Sequence, residues 1–128
     1  MKIEFDQLEI EVLIKKNFIL IKPPSIINLS NILTCISILF SIPGFQEKND
    51  IWLFFEGPIN ILFSDSEKIK KVAEINFPKY AKCGKIAIVV NNAIQYNLAV
   101  LYADTGKNLP REIKVFRDLG SAKVWVTN

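Results

Sequence analysis

The sequence contains no histidine, two cysteines and five glycines in 128 residues. Without histidine, neither Ser-His-Asp nor Cys-His catalysis is available, and the commonest metal ligand is missing. Cys35 and Cys83 are isolated and give no zinc-binding spacing. The scattered glycines form neither a phosphate-binding loop nor a dinucleotide-binding motif. We therefore expect no catalytic residue, no metal and no cofactor, and we predict that the chain is not an enzyme.

Strong charge of one sign is missing as well. The formal net charge is +3, and the lysines are interleaved with apolar residues, so we expect no binding of nucleic acid. The N-terminal residues include acids where a secretory signal needs an apolar run, which predicts a cytoplasmic protein with free thiols. Residues 26–42 are apolar but interrupted by polar side chains and too short to span a bilayer, so we expect no membrane span.

Hydrophobic periodicity predicts the strands. Residues 8–15 alternate between apolar and polar side chains, which is typical of a half-buried strand, and residues 18–21 predict the returning strand of a hairpin. The continuous apolar run at 51–55 has the length of a strand buried on both faces, and residues 85–90 are predicted to form the next buried strand. A last strand is predicted at 113–116.

Helices are predicted between these strands. Residues 28–40 carry an apolar stripe at helical spacing, with Asn28 or Ser30 as the N-cap and Pro43-Gly44 as the stop. Further helices are expected from Ser64, after Asn91-Asn92 and after Asp118. The order β-β-α-β-α-β-α-β-α predicts one α/β domain over residues 1–128. Its sheet would be mixed and mostly parallel, with about five strands, an antiparallel N-terminal hairpin, and about four helices packed mainly on one face.

Three segments resemble the small stand-alone bacterial members of the STAS (sulfate transporter and anti-sigma-factor antagonist) superfamily, also described as STAS-like or SEC14-like. They are Ile42-Pro43-Gly44-Phe45 before the third strand, the strand at 85–90 with Tyr96-Asn97 and Leu101-Tyr102 in the helix after it, and Val115-Phe116-Arg117-Asp118 followed by Ala122 and Trp125. The resemblance covers the chain from about Ile10 to its end. It implies the STAS-like fold and a binding or regulatory role.

The resemblance also implies a phosphorylation switch. Anti-sigma-factor antagonists are phosphorylated on a hydroxyl in an Asp-Ser-Ser/Thr-Gly loop at the start of the second helix. Here residues 64–68 read Ser-Asp-Ser-Glu-Lys, without the glycine. A phosphate on Ser64 or Ser66 would be favoured at a helix N-terminus but repelled by Asp65 and Glu67.

Polar residues follow the predicted strands at the edge where open α/β sheets bind ligands, the carboxyl ends. Glu56 follows the third strand, Asn91 follows the fourth, and Ser64, Asp65 and Ser66 begin the second helix. These five residues form the predicted ligand edge. A helix cap and solvated strand ends are the structural alternatives.

Four apolar residues lie off the inward faces of the predicted helices. Ile38 and Ile42 flank the inward face of the first helix, and Tyr96 and Val100 fall outside that of the third. An exposed apolar patch marks a partner or a ligand groove, and a homodimer needs only one self-complementary sequence. These residues form the predicted partner patch.

Three hypotheses about function remain open. The first is a non-enzymatic STAS-like module that contacts itself or another protein, or binds an apolar or anionic small ligand. The second is a phospho-regulated, anti-sigma-factor-antagonist-like switch at Ser64 or Ser66. The third is an enzyme that uses Glu56 and Asp65.

Overall fold

The computed structural model describes residues 2–5, 8–23, 27–45, 48–54, 59–60, 65, 67–69, 71, 84–93, 96–97, 99–100, 103 and 111–128. Eight strands have defined bounds: β1 (Lys2–Phe5), β2 (Leu8–Ile14), β3 (Phe18–Lys22), β4 (Ile27–Asn28), β5 (Asn49–Phe54), β6 (Ile59–Asn60), β7 (Gly84–Val90) and β8 (Arg111–Phe116). Two helices have defined bounds, α1 (Leu29–Phe40) and α2 (Leu119–Thr127).

The main sheet has the strand order β1-β2-β3-β5-β7-β8. Strands β1, β2 and β3 pair antiparallel, and β3, β5, β7 and β8 pair parallel. Each parallel strand is therefore added on the same side of the preceding one. Right-handed connections then place the connecting helical residues on one face of the sheet.

The face covered by α1 contains most of the described helical residues. Leu39 of α1 is buried in one cluster with Val12 of β2 and Ile21 of β3. Farther across the sheet, the helical residue Ile69 packs with α1, and the helical residue Ala99 packs on β7. Alternation along each strand sends every second side chain to this face.

The opposite face is covered by α2. Ala122 and Val126 of α2 are buried against Ile51 of β5 and against Ala87 and Val89 of β7. Asp118 caps this helix, because its Oδ1 accepts a hydrogen bond from the backbone N–H of Ser121 at 2.7 Å.

The mixed α/β class, the N-terminal hairpin and the parallel remainder of the sheet are confirmed. The sheet has one strand more than the predicted five, because β1 pairs with β2 as a four-residue strand too short to recognise by periodicity. The pair β4 and β6 was also not predicted. Helical backbone recurs at 65, 67–69 and 71 and at 93, 96–97, 99–100 and 103, and the predicted number of about four helices remains a prediction.

Among the described residues, no helix is both long enough and apolar enough to cross a membrane.

Candidate functional site

The predicted ligand edge is only partly described. The carboxyl ends of β5 and β7 lie side by side, since Phe54 pairs with Val90. Asn91 follows β7 and is exposed, and Asp65 is helical and half-buried. Glu56, Ser64 and Ser66 lie outside the described residues, so the ligand edge and the phosphorylation switch remain predictions.

The four residues of the predicted partner patch are half-buried. Ile38 and Ile42 pack against the cluster under β2 and β3. Tyr96 packs against the cluster under β7 and β8. Since these clusters lie toward opposite ends of the sheet, the patch as one continuous surface remains a prediction.

A buried ion pair lies at the opposite edge, at the amino ends of the parallel strands. Asp50 of β5 is 3% exposed and Arg111 of β8 is 4% exposed. The Nη1 atom of Arg111 lies 3.1 Å from Oδ1 of Asp50 and also donates to the backbone carbonyl of Lys48 at 2.7 Å. The indole N–H of Trp52 donates to Oδ2 of Asp50 at 2.8 Å. Both carboxylate oxygens therefore have a donor, as a buried charge requires.

Gly84 makes this ion pair geometrically possible. Strand β7 lies between β5 and β8, and Gly84 is the register partner of Arg111. A Cβ atom on Gly84 would lie 2.8 Å from Nη1 of Arg111. The guanidinium group thus crosses β7 over Gly84, the one residue of this strand that has no side chain.

Two polar side chains join the same edge to α2 on the other face. Asn49 accepts from the backbone N–H of Lys85 at 2.8 Å and donates to the carbonyl of Val126 at 2.7 Å. The ammonium group of Lys85 donates to the carbonyls of Trp125 and Asn128 at 3.0 and 2.8 Å. A cation at a helix C-terminus is favourable because the last carbonyls there have no partner within the helix.

Burial controls the electrostatics of the ion pair. It raises the pKa of Asp50 to about 6, while the charge of Arg111 and the hydrogen bond from Trp52 oppose the rise.

Burial also raises the pKa of Cys35 to about 12, so this thiol is a core side chain and a poor nucleophile. Hydrogen bonds from Ser121 lower the pKa of Asp118, consistent with its capping role.

The ion pair was missed by the sequence analysis. Asp50 and Arg111 each stand immediately before or at the start of an apolar strand, where a charge usually marks the solvated boundary. Their opposite charges at the amino ends of two predicted parallel strands were the available signal. Asp50 and Arg111 meet because of the strand order and register of the sheet. Periodicity in the sequence predicts neither of these.

Strand β8 is the other notable surface of the described chain. It is the last strand in the sheet order, and β7 is its strand neighbour in the described part. Glu112 and Lys114 are exposed, whereas Ile113, Val115 and Phe116 are half-buried. This edge therefore combines exposed charges with incompletely covered apolar side chains.

The described residues contain no group of three or more His, Cys, Asp or Glu side chains that could hold a metal ion. Comparison with protein-family models, with curated proteins and with solved structures finds no match for this chain. The STAS-like resemblance thus rests on the residues of the chain itself and remains a prediction.

Proposed function

We propose that this chain is a STAS-like binding or regulatory module, not an enzyme, and that it acts by contacting a protein through the edge strand β8. The observation that carries the proposal is the position of β8 at the end of the sheet with exposed charges and half-buried apolar side chains. An extended segment can add to such an edge through main-chain hydrogen bonds, with alternate side chains providing specificity.

The roles of the shifted ionisable groups support a binding function over catalysis. Asp50 is held by Arg111 and Trp52, Cys35 lies in the core, and the carboxylate of Asp118 caps α2. In each of these cases, packing or a hydrogen bond that stabilises the fold explains the shifted pKa. The described groups with shifted pKa values are thus engaged in structure.

The test is a comparative capture experiment with tagged wild-type protein and two variants. Lys114→Glu reverses a charge on the β8 edge, and Lys123→Glu makes the same reversal at an exposed position of α2. We expect wild type and Lys123→Glu to retain a bound protein that Lys114→Glu does not retain. This protein can have any sequence, including that of an untagged copy of this chain. Equal binding to all three forms, or no bound protein at all, would contradict the proposal.

A further inference from the structure

We propose that the partner at the β8 edge is a second copy of this chain, with the two β8 strands antiparallel and a two-fold axis passing beside Ile113. This inference rests on the proposed function and adds a partner and a register to it. The paired copies would form one continuous sheet, and the dimer would be closed because each copy uses β8 once.

The charge pattern of β8 is self-complementary in this register. When Ile113 faces Ile113, Glu112 of each copy faces Lys114 of the other. Directly opposite residues on antiparallel strands point to the same face, so the unlike charges meet on the face that also carries α2. Both side chains are exposed in the single chain, where the ammonium group of Lys114 lies 5.5 Å from the centre of the Phe116 ring.

The neighbouring symmetric registers are disfavoured by the same charges. A two-fold axis at Glu112 would place two glutamates opposite each other, and an axis at Lys114 would do the same with two lysines. Like charges directly opposite each other destabilise a strand pair. An axis that passes between two residues is excluded as well. It would pair residues whose side chains point to opposite faces of the sheet. Among these neighbouring registers, the charges of β8 therefore favour the one centred on Ile113.

The other face of β8 presents no competing charge. Ile113 and Val115 are half-buried and gain cover from the second copy. Arg111 would lie opposite Val115, but its guanidinium is turned inward to Asp50 and the carbonyl of Lys48. The ion pair inside the molecule thus removes the one charge that would oppose pairing on this face.

The other edge of the sheet is the main competing site. Strand β1 carries Lys2 and Glu4 on either side of Ile3, which is a similar pattern. However, β1 has four residues and β8 has six, and Lys2 already lies 3.5 Å from Glu9 of β2. The longer edge, with its half-buried side chains, is the one we assign.

Charge exchange tests the register. Wild type is expected to be a dimer by native mass spectrometry and analytical ultracentrifugation. Lys114→Glu and Glu112→Lys should each raise the dimer dissociation constant about tenfold or more, because like charges then face each other twice. The double variant Glu112→Lys with Lys114→Glu should restore the dimer. Circular dichroism and thermal unfolding check that all four proteins fold.

Disulfide formation tests the axis. The Cα atoms of facing residues lie about 4.5–5.5 Å apart, within the range that a disulfide bridges. Ile113→Cys should therefore yield a covalent dimer on oxidation, whereas wild type and Ile3→Cys should not. A covalent dimer of Ile3→Cys without one of Ile113→Cys would overturn the assignment in favour of β1.

The outcomes separate this inference from the function on which it rests. If wild type is a monomer, or if the charge exchanges leave the dimer dissociation constant unchanged, the second copy is not the partner at β8. If the capture experiment still finds a protein whose binding is lost in Lys114→Glu, the β8 edge remains the binding surface and only the self-pairing fails. If both experiments fail, the proposed function fails with it.

Discussion

Gly84 is important because it has no side chain. The guanidinium of Arg111 lies where a Cβ atom on Gly84 would come within 2.8 Å of Nη1. The contact is with the end of a side chain, but that end is held by Asp50 and by the carbonyl of Lys48. We therefore attribute this glycine to the ion pair and not to backbone conformation.

Gly84→Ala should displace Arg111 from Asp50. We expect the free energy of unfolding to fall by about 1–3 kcal/mol, the usual cost of overpacking a filled interior. Chemical denaturation measures the change. The matched control is Gly120→Ala in the exposed first turn of α2, where the nearest atom to the added Cβ would be 3.4 Å away. Alanine should leave stability unchanged or raise it by up to about 1 kcal/mol there. An equal loss in both variants would contradict our explanation of Gly84.

The ion pair should give stability a distinct dependence on pH. Asp50 has a pKa of about 6 in the folded chain against an ordinary value of 3.8, so the folded state binds this proton more tightly than the unfolded state. Ionising Asp50 therefore costs folding free energy, and its contribution to stability falls as the pH rises from about 4 to about 6. Removing Arg111 takes away an attraction for the carboxylate, which raises the pKa further.

Arg111→Met should accordingly destabilise the protein more at pH 8 than at pH 5. We expect a loss of about 3–5 kcal/mol at the higher pH, as for other buried pairs that lose one partner. Denaturant titrations across this range measure it. Arg117→Met removes the same charge at an exposed position and should change stability by less than about 0.5 kcal/mol.

Asp50→Asn supplies the complementary control, because it removes the titrating group. The advantage of wild type over this variant should decline between about pH 4 and pH 6. An advantage that instead grows over this interval would show that Arg111 lowers the pKa more than burial raises it.

The helices and strands show which elements the sequence predicts well. The helix predicted at 28–40 is α1, which begins at Leu29 and ends at Phe40, and Asn28 caps it by accepting from the N–H of Asn31. The last helix was likewise predicted after Asp118, which caps it by accepting from the N–H of Ser121. Caps and apolar stripes involve residues that are close together in the sequence, so these helices can be predicted from their own segments. Strand β1 was missed because four residues are too few to establish an alternation.

The end of α2 depends on a contact that no local pattern could predict. Lys85 is at the start of β7, and its ammonium group reaches the carbonyls of Trp125 and Asn128 and lies 5.2 Å from the centre of the Trp125 ring. The contact joins residues far apart in the chain. It follows from the position of α2 on the sheet face to which Lys85 points.

Lys85→Met should therefore loosen the last turn of α2. The methionine retains an apolar stem but leaves the two carbonyls without their charged donor, so we expect a loss of roughly 1–2 kcal/mol. Hydrogen exchange of Val124 to Thr127 should accelerate more than that of β7. Lys123→Met, which removes an exposed lysine from the same helix, is the control and should leave exchange unchanged. Equal acceleration in both variants would assign the effect to net charge.

At the scale of the whole molecule, periodicity predicted the α/β class and the mostly parallel sheet but not the buried charges. Alternating and continuous apolar runs report which elements form and which faces are buried. They do not report which strands are neighbours, and Asp50 and Arg111 meet across an intervening strand. The predicted ligand edge was placed by the general rule for carboxyl strand ends, whereas the observed polar network lies at the amino ends and binds α2 to the sheet.

The separation of Asp50 and Arg111 by 61 positions also has a consequence for synthesis on the ribosome. Strands β3, β5, β7 and β8 take their places in the order in which they are translated, so the sheet can grow from one side as the chain emerges. Until β8 has left the exit tunnel, however, Asp50 lacks its countercharge and β5 cannot be buried at low cost. Translation of β8 would thus complete the charge pair on which the burial of β5 depends.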